Sequence, residues 1–193
     1  MILYCATSNS GKLREFQAAA PDFDLRLPAC GVQAPEETGA TFEENAILKA
    51  VYYSRFADGP LFADDSGLEV DALGGAPGVH SARYAGPQAT DARNNALLLE
   101  RLKKSANRNA RFVCVVALAQ NGEVTRTFRG SVEGRILDAP RGSGGFGYDP
   151  LFFHEPFGCT FGEATLEDKM RVSHRAQALA AMFAFLRAQR ATG

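Results

Sequence analysis

At 193 residues, 46% of them hydrophobic, the chain has the length of one domain, or of one domain with a small lobe, and can fill a core without staples. Its 21 basic and 22 acidic residues leave a formal charge of -1, which argues against a protein that tracks long polyanions such as nucleic acid, where many phosphates must be neutralised. Cys5, Cys30, Cys114 and Cys159 form no CxxC or Cys/His cluster, so neither a zinc site nor a disulfide framework is indicated and a reduced, cytoplasmic setting is expected.

Met1 to Thr7 reads as a buried strand; it lacks a basic n-region and is too short for a signal or a membrane span, and no other stretch could cross a bilayer. The polar loop Thr7-Ser8-Asn9-Ser10-Gly11-Lys12 follows, then Leu13, Phe16 and Ala20 at helical spacing. A loop at a helix N-terminus offers backbone N–H groups and partial positive charge to an anion, and Lys12 adds a full charge. The same residues also serve as an ordinary helix cap. Ala6 and Leu13 stand where a Walker A motif needs Gly and Ser or Thr, which argues against a P-loop kinase or GTPase.

Phe23 to Leu27 reads as a second strand and Pro28 to Gly39 as a loop carrying Glu36 and Glu37. Thr41 and Glu44 form a capping box that opens a helix over about Phe42 to Phe56, with Asn45, Lys49 and Tyr53 on one face. Leu61-Phe62-Ala63 is a short apolar strand that runs into Asp64 and Asp65 and is expected to turn at Ser66-Gly67. Successive strand side chains point to opposite faces, so unless the strand has broken at Asp64 only one aspartate meets a given ligand.

Thr90 or Asp91 caps a helix over about Ala92 to Lys104, with Ala96, Leu97, Leu99 and Leu102 as its apolar contacts. Strands are expected over Arg111–Ala119, Glu123–Gly130 and Ser131–Leu137, the first two joined by the hairpin signal Asn121-Gly122. The glycine-dense run from Arg141 to Pro150 allows close backbone approach, with Phe146 and Tyr148 able to flank a planar group. Ser173 is a ready N-cap for a closing helix through Leu179, Met182, Phe183 and Leu186. His174 and Arg175 then fall in its first turn, where cations are unfavourable, so something other than helix stability placed them.

Lys12, Lys49 and the group Lys169/His174/Arg175, with carboxylates at Glu36 and Asp65, make the inventory that a magnesium-chelated polyphosphate requires. Each alone also reads as a solvated surface charge, and the spacing does not say which bond breaks. Taken together, the blocks TSNSGKLREF at 7–16, EETGATFEENAILKA at 36–50, FADDSGLEVDALGGAPGVHSARYAG at 62–86, GGFGYDP at 144–150 and SHR at 173–175 resemble the RdgB-like inosine triphosphate pyrophosphatase family. They occur in the family's order across nearly the whole chain. Ser8 departs from the Gly that many relatives carry, which puts the backbone of that loop in question.

The resemblance implies an α/β fold, a mixed central sheet flanked by helices in two lobes with the active site in a cleft, spanning residues 1–193 as a single domain. It implies hydrolysis of dITP, ITP and XTP to the monophosphate and pyrophosphate, with Mg2+ as cofactor and a homodimer as the usual assembly. Thr7, Ser8, Asn9, Ser10, Gly11 and Lys12, with Lys49 beside them, would hold the triphosphate. Glu36 and Asp65 would bind the metal, and Asp65 would activate water. Ser66, Phe146, Gly147, Tyr148, Asp149, Lys169, His174 and Arg175 would contact the nucleotide, the last two near the base. A donor from Arg175 or a backbone N–H would favour the O6 acceptor of inosine and xanthine over the amino group of adenine. A Maf-like pyrophosphatase of pyrimidine triphosphates and a non-catalytic nucleotide sensor are the competing readings. The retained acid at Asp65 speaks against the sensor.

Overall fold

A computed structural model describes residues 1–28 and 33–191. Strand β1 (Ile2–Ala6) is followed by helix α1 (Ser10–Ala19), β2 (Asp24–Arg26), α2 (Phe42–Ser54) and β3 (Leu61–Val70). Next come α3 (Asp91–Leu102), β4 (Asn109–Gln120), β5 (Glu123–Ile136), β6 (Phe152–His154), β7 (Cys159–Thr160), α4 (Leu166–Val172) and α5 (His174–Ala191). The strands form one seven-stranded sheet in the order β2-β1-β3-β4-β5-β6-β7. β1 runs parallel to both β2 and β3, whereas β6 is antiparallel to β5 and to β7, so the sheet is mixed as expected.

The chain forms two compact units, each with its own core. The first comprises residues 1–65, 114–130 and 174–193. Its core gathers Leu3, Cys5 and Phe62 from the sheet, Phe16 from α1, and Leu179, Met182 and Phe183 from α5. Phe16 meets Phe62 edge to face, ring centroids 5.0 Å apart. The second unit comprises residues 66–113 and 131–173 and packs Leu68, Val70, Leu98, Leu102, Phe112, Ile136, Phe152 and Phe161 together.

Several elements differ from their sequence reading. The chain does not turn at Ser66-Gly67: β3 continues to Val70, because Leu68 and Val70 have a core to fill and both aspartates find partners without leaving the sheet. Glu123 to Ile136 is one 14-residue strand where two were expected, and the segment before the closing helix folds into a separate short helix, α4. In α3 the buried positions are Asn94, Leu98 and Leu102, while Ala96 is exposed. The hairpin at Asn121-Gly122 is present, with positive φ at both residues, and the Thr41/Glu44 capping box opens α2.

Within the first unit, Gly130 on β5 lies against the start of α5, and a methyl group there would overlap the backbone carbonyl of His174. Backbone cannot yield as a flexible side chain can. Gly130→Ala is therefore expected to cost about 1–3 kcal/mol or more, read as a lower urea midpoint at unchanged slope. A midpoint equal to that of the unsubstituted protein would contradict this packing.

Candidate active site

Because β3 is unbroken through Asp64 and Asp65, the two carboxylates leave the sheet on opposite faces. Asp64, 2% exposed, meets α1 and α5. Its Oδ1 accepts from Lys12 Nζ at 2.9 Å, and its Oδ2 accepts from Arg175 Nε at 3.1 Å and from Cys114 Sγ at 3.7 Å. Arg175 is itself 1% exposed and also pairs through Nη1 with the buried Glu15 of α1. The result is a line of alternating charge, Glu15, Arg175, Asp64 and Lys12, that pins the start of α5 and the first turns of α1 to each other and to β3. This is also why cations are tolerated in the first turn of α5. Burial alone would raise the Asp64 pKa, but Lys12, Arg175 and Lys49 together hold it well below the usual carboxylate range.

Asp65, 6% exposed, faces α2. Its Oδ1 accepts from Lys49 Nζ at 2.9 Å, and its Oδ2 stands 3.5 Å from Asn45 Nδ2. Lys49 also donates to Glu37 Oε1 at 2.8 Å, so one ammonium is shared by two carboxylates. Burial raises the Asp65 pKa and Lys49 offsets this only in part, leaving it above the ordinary value. The opposite holds at Lys49: burial lowers its pKa, but Asp65, Asp64 and Glu37 outweigh burial and keep it charged. Asn45 is fixed by bonds to both ends of Gly39, accepting from its N–H at 2.7 Å and donating to its carbonyl at 3.2 Å.

The loop before α1 is capped by Asn9, whose side chain accepts from the Lys12 N–H at 3.0 Å, while the Asn9 N–H donates to Thr7 Oγ1 at 3.1 Å. Ser8, Asn9 and Ser10 are exposed, Thr7 and Lys12 are half-buried, and Gly11 is buried. The cap and the anion site are thus one structure. Glu36 is exposed, and it is its neighbour Glu37, not singled out in the sequence, that reaches Lys49.

In the second unit, Asp149 is 2% exposed and Lys169 3%; they pair at 2.5 Å, and the Lys169 ammonium lies 5.1 Å from the Phe146 ring centroid. Asp149 Oδ2 also accepts from the Phe146 N–H at 2.9 Å. Tyr148 is buried, and its hydroxyl donates to the Ser81 carbonyl at 2.9 Å, so the aromatic pair of the glycine-rich run splits: Phe146 is half-buried, Tyr148 holds the loop down. Ser66 is half-buried, and His174 is 3% exposed.

The donor set suits a hard cation in a particular way. Among the described residues no group of three or more Asp, Glu, His or Cys side chains forms an all-protein metal cage. Asp65, Glu37 and the exposed Glu36 are the carboxylates that could hold magnesium, which needs only one or two protein carboxylates when phosphates and water complete its octahedron.

The family model for the Ham1 family matches residues 3–185. The chain belongs to the Ham1 family. Among curated relatives of this Ham1-family protein, a dITP/XTP pyrophosphatase of Syntrophobacter fumaroxidans is 51% identical over 182 residues, covering 92% of this chain and 78% of that protein. A second dITP/XTP pyrophosphatase, from Thermus thermophilus, is 51% identical over 187 residues, covering 94% and 90%. Among solved structures, the Staphylococcus aureus Ham1 protein superposes with a TM-score of 0.87 at 39% identity, covering 98% of this chain and all of the other, 100%. A HAM1 protein from Coxiella burnetii gives 0.87 at 40% identity over 97% and 98%. The mixed sheet flanked by helices is therefore the Ham1 fold.

Several contributors carried no separate signal in the sequence. Glu15 and Cys114 look like ordinary helix and strand residues, and only burial, Glu15 against Arg175 and Cys114 against Asp64, marks them. A buried glutamate three residues after Lys12 is the trace that helical spacing could have offered.

Proposed function

We propose that this chain hydrolyses dITP, ITP and XTP to the nucleoside monophosphate and pyrophosphate, consuming one water per turnover and breaking the bridge between the α- and β-phosphates. The observation that carries the reading is the division of labour between two adjacent acids. Asp64 is locked into an ion cluster with Lys12 and Arg175, while Asp65, its pKa raised, stands beside Lys49. The names of the relatives at 51% identity support the substrate class.

In this reading Thr7 to Lys12 and Lys49 hold the triphosphate, with N–H groups at the start of α1 and two ammonium groups balancing its charge. Asp65 takes the proton from the attacking water; a carboxylate with a raised pKa is a better base than an ordinary one at neutral pH. Asp65 and Glu36 or Glu37 would hold Mg2+, which would supply neutralisation of the phosphate charge. The exposure of Glu36 and the Lys49 contact of Glu37 favour Glu37 as the second carboxylate. Ser66, Phe146 to Asp149, Lys169 and His174 are assigned to the nucleoside end. Arg175, 1% exposed and paired with Asp64 and Glu15, acts through Asp64, the partner of Lys12, and not by touching the base. Residues 1–193 are taken as one catalytic domain acting in the cytoplasm as a homodimer, without nucleic-acid or membrane partners. Among the described residues no helix is long and apolar enough to cross a membrane.

The test is pyrophosphate release from ITP, dITP, XTP, ATP, GTP and dTTP, with magnesium and with EDTA. Release from ITP, dITP and XTP should exceed that from ATP by up to about 10⁴-fold, the discrimination available to a site that hydrogen-bonds the distinguishing group, and EDTA should stop it. Equal rates on ATP and ITP, release indifferent to EDTA, or a preference for dTTP would overturn the reading.

A further inference from the structure

Two side chains of helix α3 hydrogen-bond to Gly147 in the glycine-rich loop of the second unit. The Gly147 N–H donates to Asp91 Oδ2 at 2.6 Å, and the Gly147 carbonyl accepts from Asn95 Nδ2 at 3.0 Å. Asp91 and Asn95 are four residues apart, so they lie one above the other on one face of α3. Gly147 has φ +63°, a left-handed conformation that other residues adopt only at a cost, so the chain direction on either side of it depends on that residue staying where it is.

The chemistry of the two gripping residues points to the grip as their purpose. Asn95 Oδ1 is buried and has no hydrogen-bond partner among the described residues. A buried acceptor left unpaired is destabilising, so neither packing nor helix stability accounts for an amide at this position; its donation to Gly147 does. Asp91 follows the Thr90 cap in the first turn of α3, where a carboxylate is welcome, and Thr90 itself takes the Arg93 N–H. The Asp91 oxygen nearest the loop is spent on Gly147 and not on capping. On either side of Gly147 the loop is fixed independently: the Phe146 N–H bonds to Asp149, and the Tyr148 hydroxyl bonds to Ser81. The peptide groups of Gly147 are the link between these two anchors, and α3 takes both of them.

We propose that Asp91 and Asn95 are positioning residues that set the conformation of the Phe146–Asp149 loop and, through it, nucleotide affinity, without touching substrate. The proposal rests on the reading that this loop contacts the nucleotide. It separates the two ends of the substrate. Loosening the loop weakens binding of the nucleoside and leaves Lys12 and Lys49, the residues assigned to the phosphates, as they are.

The experiment measures KM and kcat for ITP and inhibition by inorganic pyrophosphate for the unsubstituted protein and for Asp91→Ala, Asp91→Asn, Asn95→Ala and Asn95→Asp. Asp91→Ala and Asn95→Ala should each raise KM about tenfold, the equivalent of about 1.4 kcal/mol, with kcat and the pyrophosphate inhibition constant within about twofold. Asp91→Asn retains an acceptor oxygen and should restore KM to within about twofold of the unsubstituted value. Asn95→Asp, which cannot donate to the Gly147 carbonyl, should be at least as weak as Asn95→Ala. An unchanged KM in both alanine variants overturns the proposal, as does a parallel loss of kcat and pyrophosphate inhibition, which would mark general damage to the fold. If the unsubstituted protein releases no pyrophosphate from ITP, the functional reading has failed and amide exchange decides the positioning claim alone. The Gly147 N–H should exchange at least about tenfold faster in Asp91→Ala, and equal exchange overturns it.

Discussion

Asp65→Asn is expected to lower turnover on ITP by about 10²- to 10⁴-fold, the range contributed by a positioned general base, while leaving nucleotide binding and folding in place. The amide is nearly isosteric with the carboxylate and keeps an oxygen toward Lys49, but it cannot accept a proton from water. The same substitution should not destabilise the metal-free protein. Asp65 is raised in pKa, chiefly by burial, so its ionised form is less favourable in the folded state than in the unfolded one. Its contribution to stability is present below the unfolded pKa and is lost as pH rises through the folded value. Removing the charge relieves that penalty but also withdraws one of the two carboxylates bonded to Lys49, leaving Glu37, so the neutral-pH melting temperature should change little. Near-normal turnover in Asp65→Asn would reject Asp65 as the base, and a large fall in melting temperature would reject the electrostatic description of its site.

Arg175→Ala is expected to cost about 3–5 kcal/mol of stability, the range seen when one member of a buried ion cluster is deleted. The guanidinium is 1% exposed and serves two buried carboxylates, Asp64 and Glu15. Its loss withdraws a cation from each and releases the start of α5 from α1 and β3. The pH dependence has the opposite sign to that of Asp65. Asp64 is held below the usual carboxylate range, so its ionised form contributes stability above the unfolded pKa, near 3.8, and that contribution is lost as pH falls through the lower, folded value. Urea midpoints of the unsubstituted protein should thus fall on acidification below about pH 4, and the fall assignable to Asp64 should shrink in Arg175→Ala, where its pKa is less depressed. A midpoint for Arg175→Ala within about 0.5 kcal/mol of the unsubstituted protein, the range of an ordinary surface change, would show that the cluster does not hold this part of the fold.

Much of the architecture was readable because local signals agreed with tertiary packing. The Thr41/Glu44 box, the Asn121-Gly122 hairpin and the apolar run at Leu61 to Ala63 each has a short-range cause, and each appears as expected. The turn expected at Ser66-Gly67 failed because turn propensity is a weak preference, and the apolar Leu68 and Val70 beyond it had a core to enter. The division of Asp64 and Asp65 onto opposite faces was legible from strand alternation, provided that the strand did not break at Asp64. Its content was not: that Asp64 would be consumed by Lys12, Arg175 and Cys114 depends on residues 50 to 111 positions away in sequence. For the same reason the contact of Glu37 with Lys49 was not foreseen. Two adjacent glutamates in an irregular loop carry no periodicity, and only the position of Lys49 on α2 distinguishes them. The loop from Pro28 to Gly39 was read as irregular; its residues 29–32, Cys30 among them, lie outside the described residues.

The measurement that bears most directly on the central claim is phosphorus NMR of the products formed from ITP and magnesium by the unsubstituted protein. Hydrolysis at the bridge between the α- and β-phosphates predicts IMP and pyrophosphate in equal amounts, with no IDP at any time. Appearance of IDP with inorganic phosphate, or ITP recovered intact, would contradict it.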